Sequence, residues 1–233
     1  MSERLNRLAP LSGVAFFVLL VAALSTSHNS PSAGASGAKV ISFYTKNRSS
    51  ERVSDILFLL AVAFFVMFAG ALRDRLRGER EGAATTALAG SVLVAGGIGF
   101  IAVLDYALAD HPGQLTVSTA QVLNTVDNDA WPAGAIGALI FGVCGGYAVL
   151  GSARLPHWLG VVLIVIGIAC ATPAAFFGLI LLILWTLAVS ILMMVRPQGR
   201  AGAPPVTPSA QARAATPADL DRQPVGAGIA DQH

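Results

Sequence analysis

The chain has 233 residues, 55% of them hydrophobic and 12% charged, and its mean hydropathy is +0.68. Soluble domains carry about 25% charged residues, so the composition excludes an ordinary water-soluble fold, and a net charge of +2 is too small to suit nucleic acid. Between Trp131 and Val195 the only formal charge is Arg154, a stretch that a bilayer tolerates and water does not.

A spanning helix needs about 20 mainly apolar residues at 1.5 Å each. The first predicted span covers residues 8–24, after Arg4 and Arg7, with Pro10 and Gly13 in its first turns. The same region also fits a signal peptide, because two arginines, a short apolar run and a stretch rich in Ser, Ala and Gly follow one another; cleavage would leave five spans. Residues 25–35 read as a flexible outer linker. Residues 36–50 carry Val40, Ile41, Phe43 and Tyr44 near one face, which predicts a short interfacial helix leading into the second span. That span covers 54–72, bounded by Arg52 and Arg73, and the third covers 82–104 and ends at Asp105.

The connection over 109–130 holds Asp110, His111, Asp127 and Asp129, with Asp105 just before it and no basic residue. Its middle, TVSTAQVLNTV, predicts an amphipathic helix with Val122 and Val126 on one face and Thr116 or Ser118 as N-cap. Carboxylates with an imidazole suit a divalent cation, which makes Asp105, Asp110, His111, Asp127 and Asp129 the weak candidates for a metal site. The EF-hand spacing is absent. Helix capping and turn formation by Asp127 and Asn128, or an electrostatic attraction for cations or protons, are the other readings.

The fourth span covers 131–151. The block from Trp158 to Val195 has 38 residues, about 57 Å as one helix and nearly twice the bilayer core. Pro173 divides it into spans over 155–172 and 174–195, since proline removes a donor and clashes with the preceding turn. Trp158 and His157 sit at headgroup level. Cys144 and Cys170 fall inside apolar runs and read as core residues, not as a disulfide. Residues 197–233, rich in Pro, Ala, Gly and Gln without apolar periodicity, read as a disordered tail.

Arginine and lysine collect on the cytoplasmic side of short loops. With the N-terminal segment 1–7 inside, Arg4, Arg7, Arg73, Arg75, Arg77, Arg80, Arg154, Arg196 and Arg200 lie inside, against Lys39, Lys46, Arg48 and Arg52 outside. Nine against four places both termini in the cytoplasm. The predominance of arginine over lysine, with abundant Ala and Gly, points to a GC-rich bacterial genome, so the membrane expected is a bacterial plasma membrane. Small residues recur four apart at Ala87, Ser91, Ala95 and Gly99 on the third span and at Gly134, Ala138, Gly142 and Gly146 on the fourth. Such stripes let helices approach closely, so spans three and four are expected to pack together, with contact between copies as the alternative.

The expected fold is thus an all-α bundle of six transmembrane helices. LPHWLG (155–160) opening the fifth span, RDRLR (73–77) closing the second and LNTVDNDAWP (123–132) before the fourth together resemble bacterial six-span integral membrane proteins of families known only as domains of unknown function. The resemblance covers about residues 5–195 and implies the fold, with no activity, cofactor or site. The absence of a nucleotide loop, a cofactor motif or a mid-membrane charge favours a structural or accessory membrane component. The lipid bilayer is its expected partner, and a second copy or another membrane protein a further one. A carrier or channel for a small solute and a membrane enzyme using Asp105, His111 and Asp127 are the alternatives.

Overall fold

The computed structural model describes residues 10–76, 78 and 80–195, which are all-helical apart from their connections. The segments over 1–7 and 197–233 lie outside the described residues. The helices are α1 (Leu11–Thr26), α2 (Gly37–Arg75), α3 (Glu81–Asp110), α4 (Val117–Asp129), α5 (Trp131–Leu150), α6 (His157–Cys170) and α7 (Ala175–Val195), with a 3-10 turn at Pro112–Gln114. By length and hydropathy α2, α3, α5 and α7 are able to cross a membrane, and α1 and α6 are shorter apolar helices. The protein is a multi-pass membrane protein on this evidence. At 16 and 14 residues, α1 and α6 measure about 24 and 21 Å, short of a core of roughly 30 Å.

Two expected boundaries move, and the break at Pro173 stays. The interfacial helix over 36–50 and the second span are one continuous helix, α2, of 39 residues. No proline or glycine interrupts residues 38–69, so nothing stops the helix at the interface. At about 58 Å it must project well beyond the bilayer. The third span likewise continues to Asp110. The fifth and sixth separate at 171–174 around Pro173.

Each apolar helix packs on the next along the chain, leaving out α4, and α7 returns to α1. Phe16 of α1, Phe65 and Phe68 of α2, Phe141 of α5 and Trp185 of α7 fill the interior. Ring centroids lie 5.2 Å apart for Phe16–Phe65, 5.3 Å for Phe65–Phe141 and 6.3 Å for Phe141–Trp185. The buried indole N–H of Trp185 donates to Leu159 O at 3.0 Å, which satisfies its polar atom and ties α7 to the first turn of α6. Phe176 and Phe177, at 69% and 68% exposure, face outward beside many aliphatic side chains, as a lipid-facing surface requires.

Glycine sets the closest contacts. A Cβ at Gly97 would lie 2.4 Å from Gly134 N, and one at Gly137 2.4 Å from Val94 N, so α3 and α5 meet backbone to backbone. The same helix α5 meets α6 on another line, where a Cβ at Gly142 would lie 2.4 Å from Gly167 Cα and one at Gly146 2.5 Å from Gly160 O. The stripe Gly134, Ala138, Gly142 and Gly146 is therefore divided between two partners. On α3, Ala87 and Ser91 are buried and Ala95 and Gly99 half-buried, while Gly90, Val94 and Gly97 make the seam with α5. The spacing of four drifts around a helix of 3.6 residues per turn, so the ends of a long stripe point to different neighbours.

One end of the bundle is closed by arginines. Arg154 Nη1 donates to Arg75 O at 2.8 Å, Arg80 Nη1 to Tyr147 O at 2.8 Å, and Arg75 Nη1 to Met193 O at 3.4 Å. Those carbonyls belong to the last turns of α2, α5 and α7, which carry the negative end of the helix dipole; Tyr147 O also accepts from Gly151 N at 3.3 Å. Arg80 also stacks over the Tyr147 ring at 4.0 Å.

Adjacent glycines provide a paired test of the seam. Nothing lies within 4 Å of a Cβ at Gly96, so Gly96→Ala is expected to be neutral or to stabilise by up to about 1 kcal/mol through helix propensity. Gly97→Ala must push α5 away and is expected to cost about 1–3 kcal/mol. Thermal unfolding of the two variants in detergent should shift in opposite directions, or for Gly97 alone.

Candidate functional site

The end opposite the arginines carries a cap with a small core of its own, formed by Ala35, Val40, Tyr44, Leu108, Ala109 and Ala120. It is built from the projecting start of α2, the end of α3, helix α4 and the linker over 27–36. Thr116 caps α4, its Oγ1 accepting from Thr119 N at 3.2 Å. The apolar face expected of α4 is not the one that docks. Val122 and Val126 are exposed at 61% and 41%, whereas Ala120, Asn124 and Asp127 are buried. Tertiary hydrogen bonds account for the inversion. Asn124 Nδ2 donates to Ser32 O at 2.9 Å, Thr125 Oγ1 to Ala33 O at 3.2 Å, and Asn128 Nδ2 to Pro31 O at 3.3 Å.

Three side chains of α4 thus satisfy three successive linker carbonyls, and the stretch expected to be a flexible linker is held in place. Asp127 and Asn128, expected to form a turn, lie in the last turn of α4, which ends at Asp129. Gly37 is required where the linker enters α2, because a Cβ there would lie 1.8 Å from Val117 O.

The five acidic and histidine candidates fall into separate places. Asp110 is held at the cap surface by Arg52 at 3.5 Å, Arg48 at 4.0 Å and His111 at 2.9 Å. Arg52 also donates to Tyr106 Oη at 3.0 Å and stacks on its ring. Asp129 is exposed. Asp105 and Asp127 turn inward: Asp105 accepts a hydrogen bond from Tyr44 Oη, and Asp127 is buried and feels the Asp105 charge. Among the described residues no three His, Cys, Asp or Glu side chains are arranged to hold a metal ion.

Two inward carboxylates escape a reading centred on the connection. Glu51 and Asp55 of α2 are each 3% exposed. Glu51 Oε1 accepts from His28 N at 2.9 Å and lies 3.1 Å from His28 Nδ1. Beside it, Ser54 Oγ donates to Ala23 O at 2.9 Å, joining α1 to α2. Tyr44, Glu51 and Asp55 stand at i, i+7 and i+11, which is one face of a helix. That spacing was the available signal, but it becomes visible only once residues 36–50 are known to continue the second span.

Charge is therefore sorted within the cap. Its arginines serve Asp110 at the surface, and the inward set of Glu51, Asp55, Asp105 and Asp127 has no Lys or Arg ion pair among the described residues. On α4, outside the apolar spans, burial raises the Asp127 carboxyl to about 7, with the Asp105 charge adding to the shift. An apolar crevice of about 60 Å³ lies between Ile98, Trp131, Cys170 and Leu179, and none of these carboxylates lines it. Cys170 is buried and Cys144 half-buried, both as free thiols.

Compared with protein-family models, curated proteins and solved structures, the chain matches none.

The α4–linker clasp has a direct test. Asn124→Ala leaves Ser32 O without its donor and is expected to cost about 1–3 kcal/mol locally. Limited proteolysis should cut residues 27–36 markedly faster in this variant than in the wild type, while cleavage elsewhere in the bundle stays unchanged.

Proposed function

We propose that the protein is a six-span integral component of a bacterial plasma membrane with a structural or accessory role, and not an enzyme. The observation that carries this reading is the aromatic filling of the bundle. Phe65, Phe68 and Phe141 are at most 1% exposed, and Trp185 is 4% exposed. They occupy the space through which a solute would have to pass. Two backbone-to-backbone seams on α5 make separation of the helices costly. In this reading α1 and α6 also cross, with their flanking turns and local bilayer thinning making up the length.

The inward carboxylates Glu51, Asp55, Asp105 and Asp127 are what favours the second reading, a carrier for a small cation, since ionisable groups close to the bilayer usually serve function. They lie toward one end only, however. Phe65 is ten residues beyond Asp55 on α2, about 15 Å deeper. Proteoliposomes holding the purified protein should pass protons, potassium and small amines no faster than empty vesicles, measured with entrapped dyes and radiolabels. Flux clearly above the empty-vesicle rate would overturn the structural reading in favour of the carrier.

In the same reading both termini lie in the cytoplasm. Arg73, Arg75, Arg80 and Arg154 gather at the end away from the acidic cap, in the sense of the positive-inside rule. A cysteine replacing the exposed Gly78 should resist an impermeant thiol reagent added to intact cells, and one replacing the exposed Val122 should react. The opposite pattern would reverse the orientation.

A further inference from the structure

We propose that the cap contains a proton-binding site centred on Asp127 of α4, within the inward carboxylate group that includes Asp55 of α2, and that a proton bound there holds α4 on the bundle. Both side chains are more than nine-tenths buried, at 3% and 8% exposure. Asp55 Oδ2 and Asp127 Oδ1 have no hydrogen-bond partner, although their neighbours Asp105 and Glu51 do. The helices that carry them, α2 and α4, are in contact, and the Asp105 charge acts on both. A buried carboxylate without a donor or counter-charge is strongly disfavoured, so a positive species is needed there.

The surrounding groups decide what that species is. From α2, Tyr44 and Glu51 face the pair, from α3 Asp105, and from the linker His28, which is engaged by Glu51. Arg48 and Arg52 are committed to Asp110 at the cap surface. Lys39 and Lys46 are exposed. None of the cap's fixed cations therefore neutralises the pair among the described residues. A metal ion needs several oxygens converging on one point, and the described carboxylates do not form such a set. A proton needs one oxygen, and once bound it turns that oxygen into a donor for its neighbour.

The consequence has a definite sign. The Asp127 carboxyl stands near 7 in the folded cap and near 4 when α4 is released. The proton's contribution to docking is then complete below about pH 4 and is lost as pH rises through about 7. At pH above 8 the uncompensated charges push α4 away, and the linker it clasps is released with it.

The test uses the full chain in nanodiscs, with spin labels at the exposed positions Val122 on α4 and Ala107 on α3. The expected result is one narrow distance distribution at pH 5 that broadens above pH 8, with a midpoint near 7. Asp127→Asn and Asp55→Asn each imitate the protonated group, and each should keep the narrow distribution at both pH values. Infrared spectra of the unlabelled wild type supply a readout that does not depend on variants folding. They should show a protonated carboxyl band at pH 6 that disappears above pH 8.

Several results would overturn the proposal. An infrared midpoint below about 5, where ordinary carboxylates titrate, is one. A distance distribution unchanged between pH 5 and pH 8 is another. Broadening that persists in both Asn variants would also do so, as would full restoration of the narrow distribution at pH 8 by sodium or calcium, which would make the site one for a metal ion.

Discussion

Lipid tails are as apolar as leucine, so the bilayer supplies no hydrophobic force to hold one helix against another. What remains is close packing, and in this protein it centres on α5. Gly134 and Gly137 bring it against α3, and Gly142 and Gly146 bring it against α6. A helix with two bare faces can join two neighbours at backbone distance. The aromatic side chains from α1, α2 and α7 then fill the interior beside it. The order of helices follows from this, since the chain winds up and down from neighbour to neighbour until α7 meets α1.

The two ends of the bundle solve the problem of polar groups differently. At one end Arg80 and Arg154 from the connections and Arg75 from the end of α2 donate to the terminal carbonyls of α5, α2 and α7, so charge and helix dipole cooperate. At the other, α2 and α3 project past the apolar layer and α4 lies against them. There the polar face of α4 is spent on linker carbonyls, and its valines are left outward. The exchange makes sense energetically. An unsatisfied buried carbonyl or amide costs about 1–3 kcal/mol, while a valine at the outer surface forfeits only part of its burial gain of about 1.5–3 kcal/mol.

The same arrangement explains how four carboxylates come to share one interior. Each is unremarkable along the chain: Glu51 and Asp55 on one side of a helix, Asp105 at the end of another, Asp127 near the end of a third. They are brought together because α2 is long enough to reach the connection over 109–130, and because the cap's arginines are drawn to Asp110 at the surface. Neither condition is a property of any one segment.

Membrane residence and the positions of the apolar helices were legible from the sequence, because charge depletion and apolar length are properties of a segment by itself. The stop at Pro173 and the cap at Thr116 were legible for the same reason, being local backbone chemistry. The continuity of α2 was harder to see, since polar residues from Lys39 to Arg52 suggest an end where the backbone has no cause to stop. The face on which α4 docks, the division of the glycine stripe between α3 and α6, and the gathering of Glu51, Asp55, Asp105 and Asp127 were decided only by the tertiary structure. Each depends on which groups from distant segments arrive opposite one another, and periodicity within a segment carries no information about that.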